Sequence, residues 1–235
     1  MRSPLDEGPW LFLDTVHSTQ DTAALLLGHS NCPGVVLADH QEAGRGRFGR
    51  PWSSERGRSL TMSLVYRSYA SHPKPWLLGM AVAIGVAKAV GAQVRWPNDV
   101  VAERRKLAGV LTELFPAGRD RKVPVIGVGV NLDQPSLPDD IAATATSLFA
   151  VTGVRHDAHV LAQKIVAEIV ALPEPDEWSA IAAEWAALDD TPGKEYRLPT
   201  GETTLALSVG DDGTLLCTVD GIERRIMAAD ALLPD

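Results

Sequence analysis

Residues 43–54 read AGRGRFGRPWSS. Glycines at 44, 46 and 49 let successive backbone N–H groups converge on one anion. Arginines at 45, 47 and 50 add planar, permanently charged forks that suit carboxylate or phosphate. The stretch is not a Walker A loop, because the Gly-Lys-Ser/Thr ending and the strand–loop–helix setting are missing. Strand-like runs flank it instead, 35–38 before and SLTMSLVY (59–66) after. It therefore reads as a loop joining two strands that can order around a ligand and close over it. A solvated surface loop and an RGG-like RNA contact are the other readings of the loop alone. An RGG segment would repeat, and this one occurs once.

Outward from this loop the pattern alternates between strands and helices. Residues 11–16 predict a strand. His17 to Asp21 predict a helix start, with Ser18 or Thr19 as cap. PWLLGMAVAIGVAKAV (75–90) predicts a buried helix with small residues for close packing. Strands follow at 93–96, 100–101, 106–114 and 123–130, with a turn at Asn98-Asp99 and a hairpin tip at 103–105. Helices follow at 157–172 and 178–188. From residue 191 the text changes to short strands with tight turns: KEYRL, TTLALSV, TLLCTV and RRIMA, separated by Asp-Asp-Gly and Asp-Gly. That spacing predicts a small β-barrel and a boundary near 190, giving domains 1–189 and 190–235.

The chain has 235 residues and a formal net charge of −8, which argues against a broad nucleic-acid surface. Five arginines within 45–58 leave room for one local basic site. Cys32 and Cys217 stand far apart with no CxxC or Cys/His cluster, so neither a zinc site nor a disulfide framework is expected. They read as thiols of a reducing cytoplasm. The N-terminus lacks the apolar core of a signal peptide, and the apolar run at 75–90 is shorter than a membrane span and contains Lys88.

Four further stretches carry chemistry. In RWPND (95–99), Pro97 ends the strand, Asn98 can read a base or ribose edge, and Asp99 can hold Mg²⁺ through oxygen. A capped turn with Trp96 in the core is the plainer reading. In KLAGVLTEL (106–114), Lys106 can neutralise a carboxylate or phosphate and Gly109 allows close approach. In GVGVN (127–131), two glycines on one face leave space for a flat group or a packed helix, and the strand ends on Asn131. No Ser/His/Asp set or catalytic cysteine stands out.

Taken in order, Ser18-Thr19-Gln20, Gln41, GRGRFGRPW, RWPND, KLAGVLTEL and GVGVN resemble the biotin protein ligases over about residues 11–150. The C-terminal segment resembles that family's small SH3-like domain. The resemblance implies an α+β fold: a mixed, mainly antiparallel sheet with helices on one face, like class II aminoacyl-tRNA synthetase cores. It implies a two-step ligase. ATP and biotin give biotinyl-5′-AMP and pyrophosphate, and a carrier lysine then takes the biotin and releases AMP. By carry-over, Ser18, Thr19, Gln20 and Gln41 border the biotin head group, with Gly44 and Gly109 at the same site. Arg45, Gly46 and Arg47 grip the carboxylate and phosphate region, and Trp52 packs near the biotin or the closed loop. Lys106 bridges carboxylate and α-phosphate. Asn98 and Asn131 serve the adenosine side and Asp99 the Mg²⁺. Lys106, Arg45 and Arg47 are the expected catalytic set.

The sequence departs from the family pattern at Arg95, where Lys is common, at Gln20, where Asn is frequent, and at Phe48, where a polar or basic residue is frequent. The implied partner is the biotin carboxyl carrier domain of an acetyl-CoA, acyl-CoA or pyruvate carboxylase, with a monomer and a homodimer both left open. Only 17 residues precede Ser18, too few for the helix-turn-helix of some members, so a cytoplasmic ligase binding neither DNA nor membrane is expected. Three rivals stay open: a lipoate or octanoate ligase, a module that only binds, and an RNA-binding protein.

Overall fold

The computed structural model describes residues 1–134, 141–198 and 201–227. In chain order the first elements are β1 (Trp10–Val16), α1 (Thr19–Leu26), β2 (Val35–Gln41), β3 (Ser59–Val65) and α2 (Pro75–Val90). Next come β4 (Gln93–Arg95), β5 (Asp99–Ala102), β6 (Arg105–Pro116) and β7 (Lys122–Asn131). Then follow α3 (Leu148–Thr152), α4 (Ala158–Val170) and α5 (Trp178–Ala186). The last are β8 (Glu195–Arg197), β9 (Thr203–Val209), β10 (Leu215–Val219) and β11 (Ile222–Ile226).

The first seven strands form one sheet in the order β1-β2-β3-β7-β6-β5-β4. Only β1 and β2 run parallel; every other neighbouring pair is antiparallel. Parallel neighbours need a crossover, which α1 supplies. Strand β3 sits between β2 and β7 and is buried along its whole length. Its Leu60, Met62 and Leu64 enter the main core, while Val65 joins a second apolar cluster with Ala23, Leu27, Val36, Val123 and Val125.

Alternation along β2 makes the same division, with Val35 and Leu37 in the main core and Val36 in the second. Helices therefore cover both faces, not one as expected. α2, α4 and α5 share the main core, and α1 packs on the opposite face.

Helix α2 is buried almost all round, which explains why its sequence shows no polar stripe. Two glycines let it approach its neighbours. A Cβ on Gly79 would lie 2.3 Å from Thr112 Oγ1 of β6, and one on Gly85 would lie 2.4 Å from Ile169 Cγ1 of α4. Several boundaries shift from expectation. β2 continues to Gln41, β6 runs from Arg105 to Pro116, and Asp99 begins β5 rather than standing in a turn. Short α3, capped by Ser147 through the N–H of Ala150, was not anticipated.

The last four strands form an antiparallel sheet in the order β11-β10-β9-β8. Residues 222–226 make one strand after the Asp220-Gly221 turn, where both residues have positive φ (51° and 78°), as a two-residue hairpin of the I′ kind requires. Ala228, the expected end of RRIMA, lies outside the described residues. Tyr196, Ala206, Leu215 and Cys217 belong to the main core cluster, so the small sheet shares the core of the large one and its helices. No helix among the described residues is long and apolar enough to cross a membrane.

Candidate active site

The face of the sheet opposite α2 carries a floor of glycines: Gly109 on β6, Gly127 and Gly129 on β7. Close contacts show why no side chain fits there. A Cβ on Gly129 would lie 2.4 Å from Trp52 Cε2, and one on Gly127 would lie 2.5 Å from Gln20 Oε1. One on Gly109 would meet Trp52 Cζ3 at 3.3 Å and Lys106 Cε at 3.2 Å. The space read from GVGVN is thus occupied by a flat group of the protein's own, the Trp52 indole, and by the side chain that α1 sends down. Trp52 Nε1 is buried and has no hydrogen-bond partner among the described residues.

One end of this floor is a neutral cluster of hydrogen-bonding side chains. Ser18 caps α1 by accepting from Gln20 N at 3.2 Å. Gln41 Oε1 accepts from Thr19 N (2.8 Å) and Thr19 Oγ1 (3.0 Å), and Ser63 donates to Thr19 Oγ1 at 2.8 Å. Gln20 Nε2 donates to the carbonyls of Leu111 and Val125, both at 3.3 Å, which pins α1 to the sheet. Ser18, Thr19 and Gln20 are all buried. Their arrangement is orientation by hydrogen bonds in a dry setting, suited to an uncharged head group.

The glycine–arginine loop folds back as a narrow arm. Gly46 N donates to Arg50 O and Trp52 N to Gly44 O, each at 2.8 Å, around the bridge between Arg45 and Pro51. Gly44 is required by close approach, since a Cβ there would meet Gln41 Nε2 and Trp52 O at 2.8 Å; at Gly46 the nearest atom is 3.7 Å away.

Arg45 departs most from its expected role. Its guanidinium grips two carboxylates of the protein. Nη1 and Nη2 donate to Asp21 (3.0 and 2.7 Å), while Nε and Nη2 donate to Glu113 (3.1 and 2.8 Å). Hydrogen bonding to Asp21 foremost raises the guanidinium's pKa, and Arg45 in turn holds the Asp21 carboxyl below the usual aspartate range. The clamp ties the loop to α1 and β6. Phe48, at the loop tip, is exposed with φ 58°, and the Arg47 guanidinium lies 4.9 Å from its ring centroid.

The other end of the floor is cationic. Lys106 Nζ lies 2.7 Å from Asp99 Oδ1, a charge contact without the alignment of a hydrogen bond, and 5.9 Å from the Trp52 ring centroid. Asp99 is 3% exposed, so its charge is directed at Lys106 rather than at water. Arg47 Nη1 donates to Asn98 Oδ1 at 3.4 Å, and Asn98 Nδ2 donates to Val110 O at 2.6 Å. Burial pushes the Arg47 guanidinium pKa down, opposed by Asp99 and Tyr196. Asn131 Nδ2 donates to Thr146 O at 3.0 Å. Thr146 is held beside Lys106 by paired backbone bonds, Lys106 N to Thr144 O and Thr146 N to Lys106 O.

The Asp99 carboxylate faces Lys106, and no group of three His, Cys, Asp or Glu side chains gathers among the described residues. The structure brings Lys106, Trp52, Gly109 and Asp99 together, with Arg47 on Asn98 beside them, and Gly44 touches both Trp52 and the Gln41 that accepts from Thr19. Residues missed by sequence reasoning are Asp21 and Glu113, Ser63, and Thr146, whose Oγ1 is buried without a partner among the described residues. The two acids carried a faint signal, since a loop dense in arginine needs counter-charges nearby. A lone hydroxyl on a strand or loop carries none.

Residues 12–131 match the model of the biotin/lipoate A/B protein ligase family. The chain is 34% identical to the bifunctional ligase/repressor BirA of Bacillus spizizenii, over 94% of this chain and 72% of that one. It is 30% identical to the biotin–[acetyl-CoA-carboxylase] ligase of Mycobacterium tuberculosis, over 99% and 97%. In fold it is similar to the biotin protein ligase from Aquifex aeolicus solved with biotin and ATP, with a TM-score of 0.74 at 24% identity over 95% and 97%. The chain therefore belongs to the biotin/lipoate A/B protein ligase family, and with these relatives it stands among its biotin protein ligases.

Proposed function

We propose that the chain activates biotin with ATP to biotinyl-5′-AMP and transfers it to a lysine of a carboxylase biotin carrier domain. The observation that carries this reading is one face of the sheet with a neutral hydrogen-bonding cluster at Thr19 and Gln41 and a cationic one at Lys106 and Arg47, joined by Gly44 and Trp52. The ureido ring of biotin suits the first and its carboxylate the second. Activation brings a carboxylate onto the α-phosphate of ATP, two anions, so preorganised cations lower the barrier without reorganising. Lys106, oriented by Asp99, neutralises both. Arg47, supported by Asn98, holds phosphate. Asn131 and Thr146 serve the nucleoside side. The carboxylate is its own nucleophile, so no activated Ser or Cys is required. Trp52 and the loop exclude water from a hydrolysable anhydride. Mg²⁺ enters as part of the nucleotide substrate, since Asp99 is committed to Lys106.

The similar chains named for biotin and acetyl-CoA carboxylase support biotin and a carboxylase carrier; acyl-CoA and pyruvate carboxylase carriers belong to the same proposal. We read the C-terminal sheet as an SH3-like barrel closing a domain at 190–235, after a class II synthetase-like domain at 1–189. A cytoplasmic location and no nucleic-acid partner complete the reading. The test is pyrophosphate release from purified protein with ATP and Mg²⁺, with biotin, lipoate or octanoate in parallel. Release with biotin alone is expected. Release with lipoate or octanoate instead overturns the substrate, and no release with any of them overturns the activity.

A further inference from the structure

The RWPND stretch faces two ways. Its first half is fastened to the C-terminal part of the chain. Arg95 donates through Nε and Nη2 to Asp190 Oδ2 at 3.0 and 2.6 Å, with both side chains largely buried. Trp96 N donates to Thr191 Oγ1 and Trp96 Nε1 to Gly213 O, both at 3.0 Å. Tyr196, on β8, donates from its hydroxyl to the Trp96 carbonyl at 2.7 Å and meets the indole edge-to-face at 5.8 Å. Val94 adds a parallel bridge to Asp189. The second half faces the cationic cluster: Asn98 accepts from Arg47, and Asp99 pairs with Lys106. Trp96 and Tyr196 are both fully buried. Only Pro97 separates the carbonyl that Tyr196 holds from the residues that orient the two cations.

We propose that Tyr196, seconded by the Arg95–Asp190 pair, is a positioning residue for biotin activation: the C-terminal sheet fixes Trp96 and thereby sets Asn98 and Asp99, which aim Arg47 and Lys106 at the phosphates. The proposal rests on the function given above. It also gives Arg95 a purpose without ligand contact, since a planar fork suits a carboxylate partner. A rigid buttress matters because placement errors on the order of 1 Å at a reacting centre cost about a hundredfold in rate.

The test is Tyr196→Phe, which keeps the ring and removes the hydroxyl. Pyrophosphate release is measured against ATP concentration at saturating biotin, and biotin binding without nucleotide by calorimetry. The expected result is kcat/KM for ATP lower by about tenfold to a hundredfold, with the biotin dissociation constant unchanged. A lower Tm with kcat/KM for ATP unchanged makes Tyr196 a packing residue only and overturns the proposal. Should Tyr196→Phe fail to fold, Asp190→Asn is read in the same way. Wild-type protein run alongside separates the two claims: no release from it sinks the ligase reading, whereas an active wild type with an equally active variant sinks this inference alone.

Discussion

Lys106→Ala separates folding from chemistry, because Lys106 has a structural debt to Asp99. Removing one partner of a fully buried ion pair costs about 3–5 kcal/mol. Here Asp99 is 3% exposed but the Lys106 side chain is 37% exposed, so water reaches the gap. The cost of leaving a buried acceptor unsatisfied, about 1–3 kcal/mol, is then the better guide. For a chain of this size each kcal/mol moves Tm by about 2–4 °C, so the variant should melt about 2–12 °C lower. Replacing Asp99 as well, in Asp99→Asn/Lys106→Ala, removes the stranded carboxylate and should recover most of that loss. Chemistry should not recover. Losing one preorganised charge at the developing anion costs about 10²–10³ in kcat. The assays are scanning calorimetry and pyrophosphate release with ATP and biotin. Restored release in the double variant, or near wild-type release from Lys106→Ala, would refute Lys106 as the central cation.

Three further predictions follow from contacts at the floor and the loop. Gly129→Ala puts a Cβ 2.4–2.7 Å from three atoms of the Trp52 indole. The ring must move, at a cost of about 1–3 kcal/mol. Biotin KM should rise and the Trp52 indole N–H resonance should shift; an unmoved resonance would contradict the packing. Arg45→Ala and Glu113→Gln should be non-additive in a denaturation double-mutant cycle, with a coupling of about 0.5–3 kcal/mol. Simple additivity would dissolve the clamp. Because Asp21 is held below the ordinary aspartate range, chiefly by Arg45, its contribution is full above the unfolded pKa of about 3.9 and disappears as pH falls through the lower folded value. The Trp52 signal should therefore hold from pH 7 to 5 and move only below about pH 4 in the wild type; a change centred near pH 6 would point to another group.

Strands of the large sheet were legible because β3 and β7 are β-rich runs bounded by turn residues, and α2 because its apolar run is too long for a strand. The site was legible where backbone geometry writes itself into sequence. A glycine at 44, 109, 127 or 129 marks a spot where something comes close, but it does not say what comes. At Gly129 the visitor is Trp52 from the loop, and at Gly127 it is Gln20 from α1. Both contacts join residues remote in the chain, which no local pattern encodes.

The same limit explains Arg45. Type and spacing show that an arginine there wants an anion, and a substrate carboxylate is the obvious one. Only the fold shows that Asp21, 24 residues before it, and Glu113, 68 residues after, have already met the need. A cation so well neutralised adds little field around it, while Arg47 donates to the neutral Asn98 and Lys106 pairs with the single carboxylate of Asp99. Arg45 keeps the loop that carries Arg47 anchored across α1 and β6, and under the proposed activity the electrostatic work of activation falls on Arg47 and Lys106.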